Sequence, residues 1–84
     1  MIVWKFDLNL YGRQFVQVPK GSQILHVQAE FGQPKVWVLC EENEAISDAI
    51  SIRIYRSGRA MPGYPGRHIS TFQVGDSLFH AFEE

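Results

Sequence analysis

Eighty-four residues, 45% hydrophobic, 13% aromatic and 20% charged, describe one folded domain, because a second core would bury too little apolar surface to offset chain ordering. A formal net charge of −1 excludes a uniformly basic nucleic-acid coat or a polybasic membrane module, so any charge-driven role must come from local clustering. The one cysteine, Cys40, has no internal disulfide partner, and MIVWKFDL alternates where a signal peptide would be continuously apolar. No run is long enough to span a bilayer, so the expected location is the cytoplasm, without membrane contact.

The hydrophobic period is two nearly throughout. Ile2, Trp4, Phe6 and Leu8 share one face against Lys5 and Asp7, which predicts a strand with one side on a core. Asn9 and Gly12 supply a turn, and RQFVQV predicts a second strand ending at Pro19, which cannot donate to a ladder. PKGS connects onward to QILHVQAEF, with Leu25, Val27, Ala29 and Phe31 assigned to one face and Ile24, His26, Gln28 and Glu30 to the other. After a break at Gly32 and Pro34, VWVLCE holds few polar residues and predicts a central strand covered on both sides, with Trp37 as its largest group. Glu41 to Ala49 is too short and too weakly patterned for an amphipathic helix and is predicted as an acidic loop with at most a 3₁₀ turn. Ile50, Ile52 and Ile54 then alternate with Ser51, Arg53 and Tyr55 in a β-branched strand. HISTFQV and SLFHAFEE, joined by Gly75 and Asp76, predict a terminal hairpin.

The fold expected from this pattern is all-β: about seven short antiparallel strands in a compact sandwich or barrel-like meander, with residues 1–84 as a single domain. The short connections imply that neighbours in sequence pair in space. So many short strands leave sheet edges, and a homodimer formed by edge pairing or by packing apolar faces is an option the pattern leaves open.

One stretch does not read as scaffold. SGRAMPGYPGRH, residues 57–68, lies between two predicted strands, and four of the five arginines fall between Arg53 and Arg67 while no Asp or Glu occurs from Ala49 to Gly75. Glycines let backbone N–H groups approach an anion, guanidinium forks match phosphate and carboxylate, and tyrosines can stack on a base. The candidate binding residues are therefore Arg53, Tyr55, Arg56, Arg59, Tyr64, Arg67 and His68. The segment matches no named phosphate-binding motif, and an Ω-like surface loop with solvated arginines accounts for the same composition.

Other constellations are weaker. Cys40, His26, His68 and His80 lack the spacing of a zinc site or of a known nucleophile motif, and Glu41, Glu42, Glu44 and Asp48 lack the central glycine and closing glutamate of a calcium loop. No catalytic residue, metal or cofactor is expected, and the protein is not expected to be an enzyme.

WKF at 4–6, ILHVQ at 24–28 followed by Pro34 and Trp37, RIY at 53–55 with Gly58, ISTFQ at 69–73 and FHAFEE at 79–84 together resemble a family of small proteins of unknown function carried mainly by bacteriophages and prophages. The family pattern has Gly-Thr-Gly before its variable loop where this chain has Arg56-Ser57-Gly58. The resemblance implies a non-enzymatic accessory protein that binds a host bacterial protein or complex in the host cytoplasm, for instance to inhibit a defence system. The alternative is a small-molecule binder that holds a nucleotide or another anion at residues 56–68.

Overall fold

Strict alternation on this many short segments produces pleated ribbons with one oily side, and such ribbons are stable only when stacked oily side to oily side. The computed structural model, which describes all 84 residues, has that architecture and no helix. Its strands are β1 (Ile2–Asp7), β2 (Gly12–Pro19), β3 (Gln23–Glu30), β4 (Gln33–Cys40), β5 (Ile46–Arg56), β6 (Arg67–Val74) and β7 (Ser77–Glu83). They form a three-stranded sheet in the order β1-β4-β3 and a four-stranded sheet in the order β2-β5-β7-β6, all pairs antiparallel.

The inward rows supply the core: Val16 and Val18 of β2, Val27 of β3, Val36, Val38 and Cys40 of β4, Ile50, Ile52 and Ile54 of β5, Phe72 of β6, and Phe79 and Ala81 of β7. Each buried Val, Ile or Phe contributes about 1.5–3 kcal/mol of transfer free energy, so this cluster is the main stabilising term. The two sheets approach laterally along β3 and β6. There the Ser70 hydroxyl takes the place of a ladder partner, accepting from the buried Val27 N–H at 2.9 Å and lying 3.0 Å from His26 Nδ1.

The chain is not the simple meander that its short connections suggest. Only β3–β4 and β6–β7 pair as sequence neighbours; β1 and β2 lie in different sheets. The reason is in their connection, where Leu8 is buried and Leu10 packs on the core. Two leucines cannot occupy a solvated hairpin tip, so the segment crosses the end of the stack, pinned by the Leu8 N–H donating to the Pro34 carbonyl at 2.9 Å.

Three local expectations change in the same way. A bulge between Ile24 and His26 inserts Leu25, so Ile24 packs on the core while Leu25 is exposed, and Phe31 leaves the face altogether to sit at a hairpin tip. β4 is central but covered on one side only: Val36 and Val38 are fully buried, whereas Lys35, Trp37 and Leu39 on the other face are half-buried. The acidic stretch is a tight turn at Glu41–Glu44 followed by strand, because Ile46, Asp48 and Ala49 complete the ladder to β2 and Asp48 accepts from the Gly21 N–H at 3.0 Å. Those residues are exposed, so no hydrophobic alternation marked them as strand.

Candidate anion-binding site

β5 is the longest strand, at 11 residues, and it outruns its neighbour. The register pairs Gly12, the first residue of β2, with Ile54, so Tyr55 and Arg56 run on with no β2 partner beside them. The connection before β2 brings Tyr11 to the same place, and the segment after β5 folds back over it. The result is an open cavity of about 420 Å³, lined by Tyr11 and Gly12 at the start of β2, by Arg53, Ile54, Tyr55 and Arg56 from the end of β5, and by Arg59, Ala60 and Pro62 from the segment that follows.

Its electrostatics follow from which cations are already paired. Among the eight Lys and Arg residues, Lys5 pairs with Glu30 at 2.7 Å, Lys35 with Asp7 at 2.6 Å, Arg13 with Glu84 at 2.8 Å and Arg67 with Glu83 at 2.7 Å. Lys20, Arg53, Arg56 and Arg59 have no carboxylate within salt-bridge distance, and three of those four line this cavity. No acidic residue contributes to its walls. The Arg53 guanidinium lies 5.4 Å from the centre of the Tyr55 ring, a cation–π contact that holds its head group in place. Tyr55 in turn meets Phe82 edge-on at 5.8 Å. Outside the cavity lining, the Arg13 guanidinium hydrogen-bonds the Glu84 carboxylate and holds it below the ordinary glutamate range, with the Arg53 charge acting in the same direction.

The segment that carries Arg59 is tied to β7 at both ends. At its start the Ser57 N–H donates to the Leu78 carbonyl at 2.9 Å, and Ser57 Oγ lies 2.7 Å from His80 Nε2. His80 Nδ1 continues to Thr71 Oγ1 at 2.9 Å, and Thr71 Oγ1 to His68 Nε2 at 3.0 Å. Each hydroxyl can donate to one neighbour and accept from the next, so the chain Ser57–His80–Thr71–His68 is internally consistent in either direction. At the far end Gly66, at φ +100°, runs so close to the Glu83 carbonyl that only glycine fits.

The structure thus gathers Arg53, Tyr55, Arg56 and Arg59 of the seven candidate residues in one cavity and leaves the other three outside it. Arg67 is engaged with Glu83, His68 packs its ring on Phe82 at 5.3 Å, and Tyr64 is 86% exposed away from the cavity walls. Tyr11 and Gly12 reach the site through the β2–β5 register alone, which sets Tyr11 beside Tyr55 across a gap of more than forty residues in the chain. The remaining histidine, His26, is bonded to Ser70 and lies 6.3 Å from the Trp37 ring. No cluster of three or more His, Cys, Asp or Glu residues is arranged to hold a metal ion, and no helix is long and apolar enough to cross a membrane.

Fold and cavity together define an all-β domain of two antiparallel sheets with an arginine-lined pocket where its longest strand outruns its partner. The chain belongs to the family described as "Domain of unknown function (DUF7352)", whose model matches residues 1–84. No curated protein and no solved structure matches it. A family of unknown function spanning the whole chain agrees with the sequence resemblance; the family's description says nothing of phages.

Proposed function

We propose that this protein is a binding protein whose ligand is an anion seated in the cavity between Tyr11, the end of β5 and the segment 59–62. The observation that carries the reading is the concentration of unpaired cations: Arg53, Arg56 and Arg59 all line one cavity, and no acidic residue lines it with them. Solvated arginines on an ordinary surface loop would spread apart to lower their mutual repulsion. Holding them together costs free energy that a bound phosphate or carboxylate recovers through charge-assisted, bidentate hydrogen bonds. The test is isothermal titration with inorganic pyrophosphate at low salt. Binding should appear in the native protein, vanish in the Arg56→Ala/Arg59→Ala double variant and survive in Arg67→Ala, whose side chain already serves Glu83. Equal heats in native protein and double variant would remove the proposal.

A second reading, a phage-type accessory protein that binds a host macromolecule, is supported by Phe31. This residue is fully exposed at the tip of the β3–β4 hairpin and has φ +52°, a conformation that costs an L-residue with a large side chain free energy and returns no packing. Exposed aromatic anchors of this kind are the usual high-energy contacts of protein interfaces. Capture from bacterial lysate on immobilised native protein, compared with Phe31→Asn, tests it; a retained set of proteins that ignores the substitution sinks the reading.

A further inference from the structure

The cavity has more room and more apolar wall than a bare anion requires. Its volume, about 420 Å³, falls within the range of sites for whole small molecules, and Tyr11, Ile54, Ala60 and Pro62 add apolar surface to a lining that also holds three arginines. Tyr11 is 63% exposed although it lines the cavity. Its one aromatic neighbour, Phe79, meets it edge to face, with centroids 6.1 Å apart and planes at 74°. At least one face of the Tyr11 ring is therefore free of aromatic contact. A planar ring can lie on that face while a phosphate on the same molecule reaches Arg53, Arg56 or Arg59.

We propose that the ligand is a nucleotide, with its phosphate on Arg53, Arg56 and Arg59 and its base stacked on Tyr11. This rests on the anion-binding reading above and adds the chemistry of the second half of the ligand. Carboxylate metabolites without a ring would leave Tyr11 and Pro62 unused, and a cationic ligand would face three guanidinium groups with no carboxylate to receive it. Guanidinium planes also stack on bases, so the arginines that line the cavity offer the base a second stacking surface besides Tyr11. A phosphate beside an unstacked base occurs in free mononucleotides and at a site along single-stranded nucleic acid, and the two sources share this recognition chemistry.

The experiment titrates native protein, Tyr11→Ala, Tyr11→Phe and Arg56→Ala/Arg59→Ala with AMP, adenosine, inorganic phosphate and a short single-stranded oligo(dT), after circular dichroism has shown which variants retain the β spectrum. AMP should bind native protein on the order of tenfold more tightly than inorganic phosphate, the margin that one stacked base supplies. Tyr11→Ala should erase that margin and Tyr11→Phe keep it, while the double arginine variant loses both ligands. Oligo(dT) much tighter than AMP assigns the site to single strands, and comparable affinity assigns it to free nucleotides. AMP and phosphate binding equally, with Tyr11→Ala silent, overturns the nucleotide proposal and leaves the anion reading standing; no binding of any phosphate by native protein overturns both. If Tyr11→Ala does not fold, the ratio of AMP to phosphate affinity in native protein and in Tyr11→Phe decides alone.

Discussion

Replacing Phe31 by asparagine should make this protein more stable, although it removes the larger, more hydrophobic side chain. The two residues between β3 and β4, Phe31 and Gly32, both have positive φ, at 52° and 80°, the signature of a type I′ turn. Glycine takes that conformation freely. For a residue with a Cβ the left-handed region costs roughly 1–2 kcal/mol, and asparagine is relieved of much of that because its short amide bonds to the local backbone. Phe31 offsets none of the cost through packing, since it is fully exposed and pairs with no other ring. Phe31→Asn should therefore gain about 1 kcal/mol, a rise in Tm of about 4–8 °C for a domain of this size. Phe31→Val, β-branched in the same conformation, should lose a comparable amount. Phe31→Gly should also gain, by about 0.5–1 kcal/mol, because its relief of roughly 1–2 kcal/mol is only partly offset by the roughly 0.4–1 kcal/mol of extra freedom it gives the unfolded chain. Thermal melts monitored by circular dichroism rank the four proteins. Phe31→Asn melting at or below the native temperature would refute the reasoning, since the ring would then have to be making a stabilising contact. If the order holds, a stabilising residue was available and the strained aromatic was kept, as expected of a group retained for contact with a partner.

The remaining predictions concern the seam between the sheets, the Gly66 anchor and the Glu84 carboxylate. Ser70→Ala leaves the buried Val27 N–H without its acceptor and should cost about 1–3 kcal/mol in urea unfolding, with an unchanged urea m-value. Gly66→Ala drives a Cβ into the Glu83 carbonyl at a positive φ and should cost about 2–4 kcal/mol, whereas Gly63→Ala, at φ +46° with open space around it, should cost about 1 kcal/mol; equal melts for the two would deny the close approach. Glu84, held below the ordinary glutamate range chiefly by the Arg13 hydrogen bond, binds fewer protons folded than unfolded in the acid range, so its contribution to stability is present at neutral pH and is lost as pH falls through the lowered folded value. A ¹³C titration should place its midpoint below that of an unstructured glutamate and move it upward in Arg13→Ala; an unmoved midpoint would contradict the pairing.

Fold class was legible because period-two alternation is a local property, and all seven strands overlap segments whose pattern predicts them. What the alternation could not carry is which ribbon lies beside which. That depends on where Leu8 and Leu10 go, and a leucine in a connection reads the same whether it points to water or into a core. Register was similarly hidden: one extra residue at Leu25 reverses the face of everything before it, and no composition signal marks a bulge. The start of β5 escaped because its residues are exposed and serve only the ladder to β2. For the candidate site, charge segregation pointed to the end of β5 where the cavity lies but could not separate Arg56 and Arg59 from Arg67, since the partner that engages Arg67, Glu83, arrives from another strand. Tyr11 was out of reach for the same reason, being a neighbour of Tyr55 only once Gly12 and Ile54 have paired.

The anchoring of residues 57–66 explains why the cavity uses some of that segment and not the rest. Ser57 is bonded through its N–H to Leu78 and through its hydroxyl to His80, which fixes the direction in which the chain leaves β5. Arg59, two residues on, is held further by a turn in which its N–H donates to the Arg56 carbonyl at 3.2 Å. Both guanidinium groups thus spring from backbone whose position is set before any ligand arrives, and a preorganised charge loses less ordering entropy on binding than one carried by free chain. Tyr64 lies beyond Gly63 and points to solvent, where a stacking residue would have to be ordered at the ligand's expense. Tyr11, by contrast, stands one residue before a strand that is paired along its whole length and leans on Phe79 of the core. The residues that line the cavity are those closest to fixed backbone, so the histidine-to-serine tie to β7 would, on the proposed anion-binding reading, bear on ligand binding as well as on stability. If the cavity binds an anion as proposed, cutting the tie with His80→Ala, a residue outside the cavity lining, should weaken binding in the pyrophosphate titration; an unchanged affinity would show that the tie does not position Arg59.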